Sequence, residues 1–98
     1  MSLPLIYRVE VRDELDEAYA WYEDQRPGLG DEFLKDVQSR LDLIQANPEL
    51  HAPIFRQVRR SLVKRFSSSI YYRVESSRIV VVAILHGRRD PERWRARI

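Results

Sequence analysis

The residue best suited to move a proton is His86. It stands at the end of an apolar run, Ile79 to Leu85, and is followed at once by Gly87, Arg88, Arg89 and Asp90. An imidazole titrates near neutrality, and a side chain leaving a buried strand is held by the sheet yet meets solvent. Cutting RNA without a metal requires a base for the 2′-hydroxyl, cations for the charged phosphorane and an acid for the leaving oxygen. His86, Tyr71 or Tyr72, and the guanidiniums of Arg65 and Arg89 are of the right types for those roles. A structural histidine, hydrogen-bonded to Asp90 or to a backbone carbonyl, fits the same residues equally well.

A second set of residues points to anion binding. Arg56, Arg59, Arg60 and Lys64 crowd one segment, and Arg73 and Arg88 follow. Guanidinium forks match phosphate oxygens, so such residues on a sheet face would grip a nucleic acid or an acidic partner. We expect Arg56, Arg60 and Arg65 to point from the face not covered by helices, with Arg73, Arg88 and Arg89 beside them. The net charge of +2 hides a segregation that favours this reading. Residues 1–49 carry five basic and twelve acidic side chains, a net of −7; residues 50–98 carry twelve and three, a net of +9. A basic half of this strength suggests a polyanion or an acidic protein surface.

Other chemistries have little support. There is no cysteine, so neither a disulfide framework nor a thiolate metal site arises, and two histidines far apart lack zinc-ligand spacing. The acidic clusters "DELDE" and "YEDQ" read as outward, solvated helix faces. His51 has no nearby partner in its Pro48–Pro53 loop. "PGLGDEF" lacks the Lys-Ser/Thr of a phosphate loop, and no nucleophile elbow surrounds Ser67, Ser68 or Ser69. We expect no metal and no cofactor. The N-terminus lacks the pattern of a secretion signal and no apolar run approaches the ~20 residues of a membrane span. We therefore expect a cytoplasmic protein without membrane contact.

The elements that must position these residues follow from periodicity. Ninety-eight residues, 44% hydrophobic and 33% charged, make one globular domain, 1–98. "LIYRVEV" alternates through Leu5, Tyr7, Val9 and Val11 and predicts a strand ending at Arg12. Asp13 then caps a helix whose stripe is Leu15, Ala18, Tyr19 and Tyr22. "RPGLG" breaks it, and a second helix from about Asp31 carries Phe33, Leu34, Val37, Leu41 and Ile44 until Asn47-Pro48. So short a linker predicts an antiparallel hairpin. Beyond Pro53 the period becomes two: "IFRQVRRSLVKRF" gives one or two strands, "SIYYRVE" another, and after a Ser76-Ser77 turn "RIVVVAIL" is apolar throughout, as a central strand is. The expected fold is α+β: an N-terminal strand, then a two-helix hairpin on one face of a small, mostly antiparallel sheet, β-α-α-β-β-β.

The stretches "AYAWYEDQRPGLGDEFLKDVQSRLDLIQANP", "VRRSLVKRF", "IYYRVE" and "VVVAILHGRRDPERWRAR" resemble the RelE/ParE superfamily of type II toxins, once widely labelled plasmid stabilisation proteins. The likeness runs from Arg8 to Arg97. Its most specific parts are the Pro-Gly-Leu-Gly turn and the ending at Leu85, His86, Arg89, Asp90, Pro91, Trp94 and Arg97. The resemblance implies a growth-inhibiting toxin neutralised by a cognate antitoxin, as a homodimer or a toxin–antitoxin hetero-oligomer. Two targets go with it. ParE-type members poison DNA gyrase, and His86 followed by Arg-Asp lies closer to them; RelE-type members cleave messenger RNA on the ribosome, where His86, Arg65 and Arg89 would be catalytic. A third implication is an inactive member that only binds its antitoxin. Phe66-Ser67-Ser68 stands where many members have Phe-Pro-Tyr, which removes an aromatic that could stack or donate a proton. Asp90, Trp94 and Arg97 are expected to form a structural arm, Trp94 folding back on the sheet.

Overall fold

The computed structural model describes residues 2–86 and 91–98. Strand β1 (Leu5–Tyr7) leads into α1 (Val9–Gln25) and α2 (Leu29–Ala46). Four strands follow, β2 (Pro53–Phe55), β3 (Val58–Val63), β4 (Ser68–Val74) and β5 (Ile79–His86), and a short α3 (Glu92–Arg95) closes the chain. The sheet order is β1-β5-β4-β3-β2. β2 to β5 form an antiparallel meander, and β1 pairs parallel with β5. The α+β architecture expected from the sequence is the one observed. β5, buried along its length until His86, occupies the interior position its unbroken apolar run requires.

The N-terminal boundary differs from the periodicity reading. The strand ends at Tyr7, not Arg12, and the helix begins at Val9, so Asp13 lies inside α1 and does not cap it. The reason is an ambiguous pattern. Val11 also falls on the helical stripe with Leu15, Ala18 and Tyr22, and burying that stripe outweighs five more residues of edge strand. Val9, which the alternation placed inside, is 82% exposed. Leu34 is likewise largely exposed, while Phe33, Val37, Leu41 and Ile44 are buried as the α2 stripe predicts.

The α1–α2 turn is built by glycine and a half-buried carboxylate. Gly28 has φ +89°, and a Cβ on Gly30 would stand 2.8 Å from the Tyr19 carbonyl, so the helices touch there at backbone distance. Glu23 accepts from the backbone N–H groups of both Gly28 (3.1 Å) and Gly30 (2.9 Å), which caps the start of α2 from the neighbouring helix. Beneath the hairpin, Tyr22, Phe33 and Phe66 form an aromatic trio with centroids 5.0 to 5.3 Å apart. The Tyr22 hydroxyl donates to the Phe66 carbonyl at 2.8 Å, which ties α1 to the turn entering β4.

A second, smaller core lies on the opposite face. Val58, Tyr71, Val82, Ala83 and Leu85 are covered there by Trp94 of α3, so this face is not wholly open. Trp94 stacks on Tyr71 at 4.7 Å and meets Phe55 edge to face at 5.7 Å. No helix among the described residues is long and apolar enough to cross a membrane.

Candidate functional site

His86 is exposed at the end of β5, opposite Ser68 of β4, and borders a cleft of about 320 Å³ between α1 and the sheet. Ala18, Tyr22, Phe33 and Ile84 make its apolar floor, and Trp21, Glu17, His86 and Arg93 stand at its mouth. Trp21 is 58% exposed although it sits in a helix among aromatics. A slot of this kind accepts an apolar side chain more readily than a phosphate, because the cations lie at its rim, the Tyr22 and Ser68 hydroxyls are given to the Phe66 carbonyl and Glu14 adds a carboxylate to the lining.

The other groups proposed for catalysis do not converge on His86. Arg65, on the short 3₁₀ turn Lys64–Phe66, is ion-paired with Glu32 and stands 3.9 Å from Asp36, both on α2. Hydrogen bonds from Arg65, then from Arg26, hold the Glu32 carboxyl below its ordinary pKa. Tyr71 lies beneath Trp94 on the opposite face of the sheet. Tyr72 lies four residues along β4 from Ser68, roughly 13 Å away, and its hydroxyl donates to the Pro48 carbonyl at 3.0 Å. Burial raises that phenol above its usual range. Arg88, Arg89 and Asp90 lie outside the described residues.

The basic residues of the meander divide between the two faces, against the expectation of one shared surface. Arg59 turns to the helix side and donates to the carbonyls of Glu49 and His51, pinning the loop before β2. Beside it, burial and then the charges of Arg40 and Arg59 hold the His51 imidazole below its ordinary pKa. Arg73 is paired with Glu75 at 2.8 Å. Arg65, turned to α2, also leaves the expected set. Lys64 is exposed at the start of the 3₁₀ turn after β3, and Arg56 and Arg60 project on the α3 side of the sheet. There they join Arg95, a residue that the sequence reading did not single out.

Glu14 and Arg97 form a clamp that periodicity could not reveal. After Tyr7 the chain turns into α1, and the Arg8 N–H to Val81 carbonyl bond (3.0 Å) is the last rung beside β1. The next two ladder positions on that edge of β5 are filled by side chains. Glu14 accepts from the Ile84 N–H at 3.1 Å, and Arg97 donates to the Val82 carbonyl at 3.1 Å. The two side chains then pair with each other at 2.6 Å, with Arg97 11% and Glu14 8% exposed. A reading of "DELDE" as solvated surface is corrected here, since Glu14 replaces a missing strand. Glu23, in "YEDQ", is corrected in the same way by its bonds to Gly28 and Gly30. Among the described residues no group of His, Asp and Glu is arranged to hold a metal.

Comparison with known proteins agrees with this architecture. A family model described as ParE toxin of type II toxin-antitoxin system, parDE, matches residues 5–91. Toxin ParE2 of Mycobacterium tuberculosis, in strains CDC 1551 / Oshkosh and ATCC 25618 / H37Rv, is 30% identical over 92 residues, spanning 90% of this chain and 85% of the relative. A chain in the solved structure of a chromosomal ParDE TA system from P. aeruginosa superposes with TM-score 0.76 at 19% identity, over 86% of this chain and 95% of that one. With a family match over nearly its whole length, a curated ParE toxin at 30% identity and the same strand, hairpin and sheet, this chain belongs to the ParE toxins of type II toxin–antitoxin systems.

Proposed function

We propose that this chain inhibits growth in the cytoplasm by binding DNA gyrase, without covalent chemistry of its own, and that a small cognate antitoxin holds it in check. The observation that carries the reading is the dispersal of the acid–base set. Of the groups a metal-free ribonuclease would use, Arg65 is engaged by Glu32, Tyr71 is sealed under Trp94 and Tyr72 is bonded to Pro48. His86 is left at a cleft mouth beside Trp21 and Arg93, a setting for docking against a protein. An apolar slot floored by Tyr22 and Phe33, with a tryptophan and a guanidinium at its rim, has the composition of a protein-binding hot spot.

The test is to express the chain without antitoxin and to pulse-label DNA and protein synthesis, alongside a supercoiling assay with purified gyrase. DNA synthesis is expected to fail first and supercoiling to be inhibited. A stop in translation while replication continues would overturn the reading in favour of messenger RNA cleavage. Full growth would leave a module that only binds its antitoxin.

A further inference from the structure

We propose that Arg56, Arg60 and Arg95 form a phosphate-binding fork on the α3 face of the sheet, through which the chain binds the backbone of duplex DNA without reading its sequence. The first observation is conformational. Arg56 occupies the two-residue turn between β2 and β3 with φ 54°, in the left-handed region. Turns of this length favour glycine or asparagine there, and a residue with a full side chain is disfavoured by about 1 kcal/mol or more. An arginine at such a position gives up stability for its side chain, a pattern associated with functional sites.

The second observation is what that side chain does. Phe55 carries two guanidiniums, with Arg56 Cζ 5.3 Å and Arg95 Cζ 4.4 Å from its ring centroid. Arg95 also lies 5.4 Å from the Trp94 ring. Phe55 is held edge to face by Trp94, which is stacked on Tyr71, so the cations rest on a fixed aromatic ladder. A guanidinium held over an aromatic ring keeps N–H groups available to donate to phosphate oxygens, in pairs where the fork faces outward. Arg60, exposed on β3 opposite Tyr71, extends the same surface.

The third observation is charge. Arg26, Arg65, Arg73, Arg78 and Arg97 are each paired with a carboxylate, whereas among the described residues none lies within ion-pair distance of Arg56, Arg60 or Arg95. Like charges gathered without a carboxylate among the described residues repel unless an anion arrives. Nucleic acid is favoured over an acidic protein because the aromatics that could anchor a protein here are sealed beneath the cations, Trp94 at 3% and Tyr71 at 5% exposure. Leu62, 42% exposed on the same face of β3, adds an aliphatic contact, but the charged groups of this surface are guanidiniums, which contact phosphates and position a duplex without base readout.

The inference is independent of the gyrase reading and is tested without gyrase. The full chain is titrated into a fluorescein-labelled 20-base-pair duplex, and anisotropy is read at several salt concentrations. Three phosphate contacts give a slope of log K against log salt near −2.7, or about forty-fold weaker binding at 200 than at 50 mM. Arg60→Ala and Arg56→Gly are each expected to flatten the slope by about 0.9, and Arg12→Ala, on α1, to leave it unchanged. Arg56→Gly should also raise Tm, because glycine relieves the turn, which separates lost binding from lost folding. No binding up to about 100 µM chain at 50 mM salt, or slopes unmoved in both variants, would overturn the proposal. Displacement of the duplex by a polyglutamate peptide of equal charge at equal or lower concentration would overturn it in favour of an acidic protein.

Discussion

Replacing Glu14 by alanine is expected to be among the most destabilising single changes in this chain. The substitution leaves the Ile84 N–H without its acceptor beside β5 and strips Arg97, 11% exposed, of its nearer carboxylate, leaving it Glu10 at 3.8 Å. A buried N–H left unpaired costs about 1–3 kcal/mol, and breaking a largely buried ion pair by removing one partner about 3–5 kcal/mol. The two overlap, so we expect about 3–5 kcal/mol in all. That is a large share of the roughly 5–15 kcal/mol that holds a domain of this size together. Glu14→Gln keeps one acceptor oxygen, enough for the Ile84 N–H or for Arg97 but not for both, and turns an N–H2 group toward the other donor, so it should recover only about 1 kcal/mol of the alanine loss. Arg97→Ala strands the Glu14 carboxylate and the Val82 carbonyl in turn. The double variant removes both charges together, so its loss should fall short of the sum by about 1–3 kcal/mol. Urea unfolding followed by far-UV circular dichroism measures the four variants against the parent chain, with the m-value checking that unfolding stays two-state. A Glu14→Ala loss under about 0.5 kcal/mol, the range of an exposed ion pair, would refute the strand-substitute argument. So would a fully additive cycle.

Gly30→Ala places a Cβ 2.8 Å from the Tyr19 carbonyl, so the helices must part, and we expect a loss of about 1–3 kcal/mol in the same urea assay. His51 has a folded-state pKa below its ordinary value, so the unfolded chain takes up the proton first. Stability should therefore fall as pH drops through the ordinary histidine range toward the lower folded value, and His51→Asn should flatten that dependence in thermal melts between pH 7 and 5. Toxicity retained on induction of His86→Ala would remove His86 from any catalytic role. Toxicity lost with an unchanged Tm, where the parent chain stops translation before replication in pulse-labelling, would return a proton-transfer role to His86.

The parts of the fold that were legible in the sequence are those where one period dominates over many residues. α2 repeats its apolar residues at three and four through Ile44, and β5 is apolar at seven successive positions, so helix and central strand follow directly. β1 was misjudged in length because Val9 and Val11 satisfy a period of two, while Val11 also continues the α1 stripe. Which period wins is decided by the area buried against the sheet, and that is a property of the assembled layers. The parallel pairing of β1 with β5 is likewise a long-range matter that spacing along the chain does not encode.

Acidic residues on helices were the harder problem, and the error has one cause. At i, i+3 and i+4 spacings a carboxylate facing solvent and one facing a backbone donor look alike in sequence. Glu14 and Glu23 differ from Asp13 and Asp24 only in what the fold brings opposite them: the open edge of β5 in one case, the unsatisfied N–H groups of α2 in the other. In both places the fold leaves donors bare, and elementary accounting of backbone groups says that some acceptor must arrive. Reading a chain of this kind therefore gains from asking, for every strand shorter than its neighbour and every helix without a polar cap, which side chain supplies the missing partner. The same accounting applied to cations separates Arg65 and Arg97, answered by carboxylates within the fold, from Arg56, Arg60 and Arg95, which no described acid answers. Charge that a fold leaves unanswered on a rigid surface is the part of it free to meet something else.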